Sequence, residues 1–311
     1  MAHVRILMAT RNGVRHLDAQ LASILAQDHG DWSLRVSDDG SQDGTRQRLA
    51  DWAAAHPGRE VRVSEGPGRG AAANFLSLIR EAGDGGAWLA LSDQDDVWHP
   101  DRLTRALSML GRGAGAGVYC SRTVLVDEAG RPLRESRRHP RGLGFGNALV
   151  QNVMAGNTMV IEPVMARVLG RTAGAALAAR NGAGVAHHDW WIYLLASGIG
   201  ARLIHDDRPG LDYRQHGANE MGASDGLRRA GARLGMLTDG RWSDWIGGNL
   251  EALEAVAGRL TPEARALADR FRAWRAGEGR FADLYRAGVR RQTRAGDAVL
   301  WAMAATGRLR A

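Results

Sequence analysis

The sequence contains no lysine, so each of its 41 basic residues is an arginine. A P-loop enzyme is thereby excluded, because its phosphate-binding turn needs a lysine. Cysteine is almost as scarce. Cys120 stands alone, which rules out an intrachain disulfide and a cysteine-based zinc cluster and fits a reducing, cytoplasmic setting. No run approaches the roughly 20 apolar residues of a membrane-spanning helix, and the opening MAHVRILMATRNG is too briefly apolar for a signal peptide. No G-x-G-x-x-G follows the first strand signal, which argues against a dinucleotide dehydrogenase. No internal repeat is visible.

What remains is an ordinary globular composition, 44% hydrophobic and 24% charged. At 311 residues the chain suits one main domain plus an appendage. The net charge is +7, from 41 arginines against 34 acids. Its distribution is uneven: residues 270–311 hold ten arginines against Glu278, Asp283 and Asp297, the whole excess.

Residues 1–110 alternate strand and helix signals. HVRILMA, WSLRVS, EVRVS and AWLALS read as strands. HLDAQLASILAQ, TRQRLADWAAA and AAANFLSLIREA read as the helices between them, the first with Leu17, Leu21, Ile24 and Leu25 on one face. Such alternation predicts βαβ units and a mostly parallel, Rossmann-like α/β sheet flanked by helices. Further on, GVYCSRTVLVD and ARLIHD read as strands, GNTMVI as a short one, HHDWWIYLLAS as a helix start, and residues 131–147 as a Gly/Pro/Arg-rich loop. Beyond about residue 220 the pattern is helical only. We therefore expect an α/β domain over 1–220, in halves 1–110 and 111–220, and a basic helical C-terminal region over 221–311.

In open parallel sheets ligands bind at the carboxyl ends of the strands. Here those ends are polar: ATRNG, SDDGSQDGT and SDQDD. Ser41 or Asp43 accounts for a helix cap, but the adjacent Asp38 and Asp39 suit hydrogen bonds to a base N–H or a ribose hydroxyl. Alternate residues share a direction, so Asp93 and Asp95 can share a target, and two carboxylates with diphosphate oxygens make a hard-cation site for magnesium or manganese. Asp96 and Asp101 fit acids favoured at the start of a helix opening at Pro100. A nucleotidyltransferase also pairs acids on an α/β sheet, but it wants a basic glycine-rich loop near the N-terminus.

Taken in order, MATRNG, LDAQLASILAQ, VSDDGSQDGT, GRGAAANF and LSDQDDVW resemble the nucleotide-sugar-binding half of glycosyltransferase family 2, which has the GT-A fold. AGNTMVI, HHDWWIYLLAS and YRQHGAN resemble its rhamnosyltransferase-like branch. The resemblance spans about residues 3–220. It implies an inverting, metal-dependent glycosyltransferase acting on a dTDP- or UDP-sugar, with dTDP-rhamnose the first choice. A glycan or lipid-linked acceptor is implied, and nucleic acid is not. Thr10, Arg11, Asn12, Asp38, Asp39 and Asp93 would serve the nucleotide, and Asp95 and His216 the metal. Arg11 departs from the family, which usually carries an aromatic there; it alters base stacking or adds a cation near the diphosphate. Asp189 would be the general base. Trp98, Asn152, Asn157, His188, Trp190, Trp191 and Arg214 are expected around the substrates. In the C-terminal region Phe281, Leu284, Tyr285 and Val289 mark an apolar face beside Arg286, Arg290, Arg291 and Arg294. This suits either an anionic membrane surface or packing within the protein.

Overall fold

The computed structural model describes residues 2–111, 115–215 and 240–310. The expected alternation is present: β1 (Val4–Thr10), α1 (Val14–Leu25), β2 (Trp32–Asp38), α2 (Thr45–Ala55), β3 (Val61–Glu65), α3 (Ala71–Ala82) and β4 (Trp88–Ser92). β1 is a continuous apolar run because helices cover both of its faces: Ile6, Leu7 and Met8 are all fully buried. α1 buries Leu17, Leu21 and Ile24, whereas Leu25 is 37% exposed. Each residue advances about 100°, which carries Leu25 past the edge of the stripe.

Then follow β5 (Val97–Trp98), α4 (Arg102–Leu110), β6 (Gly117–Ser121), β7 (Val124–Val126), β8 (Pro132–Glu135), α5 (Phe145–Ala148), β9 (Val160–Ile161), α6 (Pro163–Ala178), α7 (His188–Gly198), β10 (Arg202–Asp206) and β11 (Leu211–Arg214). The main sheet has the order β10-β6-β9-β4-β1-β2-β3. It is parallel except at β9, which runs antiparallel to both β4 and β6. The register pairs Thr10 with Asp38 and Met8 with Ser92, so the three polar strand ends lie side by side. A smaller sheet has the order β5-β11-β7-β8.

Several elements differ from expectation. GVYCSRTVLVD is two strands in two sheets. The chain turns at Arg122, which is 7% exposed and donates to the Ser136 carbonyl at 2.7 and 2.9 Å. The expected loop over 131–147 holds β8 and α5, and YRQ belongs partly to β11. α6 was not anticipated, because its run of alanines and glycines offers little hydrophobic contrast.

The chain forms two compact units, neither continuous in sequence. The first comprises 1–138, 154–174 and 202–223; the second comprises 139–153, 175–201 and 224–311. The second contains α7 and the helices α8 (Arg241–Glu254), α9 (Pro262–Arg275), α10 (Phe281–Arg286) and α11 (Arg294–Ala305). α9 starts as its sequence directs: the Thr261 hydroxyl accepts from Ala264 N at 3.2 Å and Pro262 follows at the first helical position. The apolar face that suited either a membrane or packing is mostly core, with Tyr285 half-buried. Phe281, Leu284 and Val289 are 7%, 2% and 0% exposed, and the Phe281 ring lies 5.0 Å from Trp274 and 4.9 Å from Trp301. Among the described residues no helix is long and apolar enough to cross a membrane.

Candidate active site

The two acids ending β2 organise the loops around them. Asp38 is 2% exposed, and its carboxylate accepts from the Thr10 hydroxyl at 2.8 Å and from Ser41 N and Oγ at 2.9 and 2.6 Å. Asp39, 5% exposed, accepts from Gly68 N and Gly70 N at 2.6 and 2.7 Å. Gly66 makes room for this, since a Cβ there would lie 2.7 Å from Asp39 Oδ1. A carboxylate offers about four acceptor sites, so Asp39 keeps capacity for a ligand donor while it shapes the loop.

The β1–α1 loop is tied to the β2–α2 loop. Asn12 adopts the left-handed region, φ 48°, which Asn tolerates better than most residues. Its amide donates to Ser41 Oγ and its Oδ1 accepts from Gln42 N, both at 2.8 Å. Asp43 is not the N-cap residue of α2, which is Gly44, but its carboxylate accepts from Thr45 N, the first amide of that helix, at 3.1 Å. It also accepts, at 3.1 Å, from Val14 N, the first amide of α1. Burial opposes the Asp43 charge, but the hydrogen bonds from Thr45 and Val14 prevail and hold its pKa below the usual range. Arg11 is exposed, and its backbone bonds to Gln94.

Beyond β4, ligand oxygens of Asp93, Asp95 and Asp96 all lie within 4.8 Å of one another. The sequence favoured the first two and gave Asp96 to a helix start. The helix begins only at Arg102, with Asp101 as its N-cap, and Asp96 is instead fully buried. Its Oδ2 accepts from Asn157 Nδ2 at 2.7 Å, and its Oδ1 has no hydrogen-bond partner among the described residues. Burial, and then the charges of Asp93 and Asp95, raise the Asp96 pKa well above the usual carboxylate range. Three converging carboxylates, one with an unmatched oxygen, fit a hard divalent cation.

Of the expected substrate contacts in this unit, Asn157 and Arg214 hydrogen-bond to the acidic loop and Trp98 is buried. Asn157 holds Asp96. Arg214, 8% exposed, donates to the Asp95 carbonyl at 3.2 Å and the Glu128 carbonyl at 2.8 Å. Trp98 is 2% exposed, with the Arg102 guanidinium 3.5 Å from its ring centroid. Arg102 is itself buried and donates to the Asn157 carbonyl at 2.7 Å. Burial lowers its pKa to about 9.

In the second unit Asp189 stands half-buried in the first turn of α7 and accepts from Trp190 N at 2.8 Å. Loss of water around the His188 ring pushes its pKa down to about 4 against the pull of Asp189. Trp190 and Trp191 are 2% and 0% exposed, and Trp190 Nε1 donates to the Ala148 carbonyl at 2.7 Å, so both rings are core. The half-buried rings here are Trp242 and Trp245, 5.9 Å apart, with His187 edge-on to Trp245 at 4.6 Å. Nothing in the sequence around them marks them, because Trp190 and Arg291 against Trp242 and His187 against Trp245 are distant along the chain. Asn152 is half-buried, and His216 lies outside the described residues.

Comparison with known proteins fits this geometry. The model of "Glycosyl transferase family 2" matches residues 5–167, just over half of the chain. The dTDP-rhamnosyl transferase RfbG of Shigella flexneri is 28% identical over 239 residues, 76% of this chain and 80% of that protein. The putative teichuronic acid biosynthesis glycosyltransferase TuaG of Bacillus subtilis is 25% identical over 159 residues, 51% of this chain and 62% of that protein. Among solved structures, S. aureus TarS 1-349 in complex with UDP superposes with a TM-score of 0.57 at 13% identity, covering 99% of this chain and 88% of that one. The mannosyltransferase PcManGT from Pyrobaculum calidifontis, in complex with GDP-Man and Mn2+, gives 0.53 at 18% identity, covering 99% and 87%. The family model spans more than half of the chain and the mostly parallel sheet superposes on these structures, so the chain belongs to glycosyltransferase family 2 and is a glycosyltransferase of the GT-A fold.

Proposed function

We propose that the protein transfers L-rhamnose from dTDP-rhamnose to a hydroxyl of a cell-surface glycan, polysaccharide or lipid-linked acceptor, with inversion at the anomeric carbon. The observation that carries the donor site is the convergence of three carboxylates beside the loops ending β1 and β2. The likeness to RfbG favours rhamnose. A UDP-sugar donor is the second reading. It is favoured by 29% identity over 107 residues to WfgD of Escherichia coli, named as a UDP-Glc:alpha-D-GlcNAc-diphosphoundecaprenol beta-1,3-glucosyltransferase. That match covers 34% of this chain and 40% of WfgD.

In this reading Asp95 binds magnesium or manganese directly, with His216 as a further ligand. Asp93 serves the ribose, and Thr10, Arg11, Asn12, Asp38 and Asp39 frame the nucleotide. When bound, the cation offsets charge gathering on the diphosphate. Asp189 accepts the proton of the acceptor hydroxyl as that oxygen bonds to the anomeric carbon and the carbon–diphosphate bond breaks. A single displacement inverts the centre. The protein works in the cytoplasm, and the basic C-terminal helices meet the membrane peripherally through charge.

Two variants and a donor screen test this. Asp95→Ala should weaken metal-dependent nucleotide binding in calorimetry. Asp189→Asn should keep donor binding and lose about 10²-fold or more in transfer. Undiminished transfer by Asp189→Asn would remove it as the base. Slow hydrolysis across dTDP-, UDP- and GDP-sugars identifies the donor, and a preference for UDP-glucose over dTDP-rhamnose would overturn the first reading.

A further inference from the structure

Gln94 lies between the two acids assigned to ribose and metal, yet its amide is engaged elsewhere. Arg11 N donates to Gln94 Oε1 at 2.9 Å, and Gln94 Nε2 donates to the Arg11 carbonyl at 3.0 Å. The side-chain amide thus pairs with a backbone residue as a neighbouring strand would, using one donor and one acceptor on each side. Two residues on, Gly13 is packed against the same amide. A Cβ at Gly13 would lie 2.0 Å from Gln94 Oε1 and 2.3 Å from Cδ. The Gly13 backbone, at φ −107° and ψ 4°, does not itself require glycine. Its missing side chain is therefore explained by Gln94.

The residue held by this clamp is the cation that departs from the family pattern. Arg11 is exposed, and its guanidinium pairs with no carboxylate among the described residues. Three acids close together repel a diphosphate unless positive charge is placed beside them. A long arginine side chain is a poor partner when its backbone also wanders, because ordering both carries an entropic cost.

We propose that Gln94 is a positioning residue. It fastens the Arg11 backbone to the loop carrying Asp93 and Asp95, so that guanidinium and carboxylates meet the donor diphosphate in one fixed register. Gly13 is glycine to leave that clamp room. The inference rests on the nucleotide-donor reading above and adds to it a residue whose own side chain need not touch the donor.

A double-mutant cycle tests it. Calorimetric binding of UDP and dTDP with Mg2+ or Mn2+ is compared for wild type, Gln94→Ala, Gly13→Ala and the double variant. Each single change should weaken binding about tenfold, since a slight misplacement of a binding group suffices for that. The double variant should be no weaker than either single one, because the methyl group added by Gly13→Ala then has no amide to meet. The preference of a helix N-cap for Gly over Ala acts in both backgrounds and cancels in the cycle. In transfer assays the loss should fall on donor KM, with kcat changed less than twofold. Hydrogen exchange across residues 10–14 without nucleotide reads the clamp directly and should quicken in all three variants. Additive losses, unchanged exchange, or a loss confined to kcat would overturn the proposal. Absence of nucleotide binding by the wild type would overturn the donor reading and the proposed consequence for binding. Exchange would still decide whether the clamp exists.

Discussion

At the scale of single residues, the polar side chains of the first unit separate into those that face outward and those that hold them. Asp96 shows the difference. A carboxylate buried next to two others is unfavourable unless a donor reaches it, and Asn157, sixty-one residues away, is that donor. Asn157→Ala should therefore cost about 1–3 kcal/mol in a denaturant titration, the usual penalty for stripping a buried acceptor of its partner. It should also weaken metal-dependent nucleotide binding. A stability equal to wild type would show that Asn157 does not brace the acid. The same logic explains why Trp98, Arg214, Trp190 and Trp191 looked like substrate contacts in sequence. Their types suit sugars and phosphates, and only the structure shows that all four are buried.

At the scale of elements, strand ends and helix starts set where charge is placed. α11 illustrates it in the second unit. Asp297 in its first turn is 6% exposed and accepts from Arg291 N at 2.8 Å, the Tyr285 hydroxyl at 2.9 Å and the Arg141 guanidinium. Burial opposes the charge, but the Arg141 hydrogen bond and its companions outweigh it and lower the pKa below the ordinary aspartate value. A carboxyl with a depressed folded-state pKa contributes stability above its unfolded pKa and loses it as pH falls through the folded one. Asp297→Asn should thus destabilise the protein by about 1–3 kcal/mol at pH 7. The gap to wild type should narrow below about pH 4. A gap that stays constant from neutral to acid would exclude the ionised form as its source. The βαβ elements themselves were legible because period and spacing are local properties. β8 and α5 were hidden in a Gly/Pro/Arg-rich segment whose pairing partners are distant.

At the scale of the whole molecule, charge and apolar surface part company. Arg280, Arg286, Arg290, Arg294, Arg308 and Arg310 are exposed, while Phe281, Leu284 and Val289 beside them are buried. Attraction to a membrane would then be electrostatic, without an inserted helix face. Binding to vesicles rich in anionic lipid should be measurable at low salt. It should vanish by about 0.5 M, where screening reaches only a few ångströms. Binding that survives high salt would demonstrate insertion and contradict the packing of Phe281 and Leu284. The two units are each assembled from separated stretches of chain, a division that no composition shift along the sequence announces.

What the sequence determined alone was the alternation of strands and helices, the parallel sheet, and the gathering of ATRNG, SDDG and SDQDD at its carboxyl edge. Hydrophobic period and chain direction decide these locally. What only the tertiary structure decided was the work of each polar residue there. Asp39 anchors a glycine loop, Asp96 is buried on Asn157, and Gln94 clamps Arg11. Whether a carboxylate or an amide meets a ligand or its own protein depends on which distant donor arrives beside it, and that is a property of packing rather than of residue order.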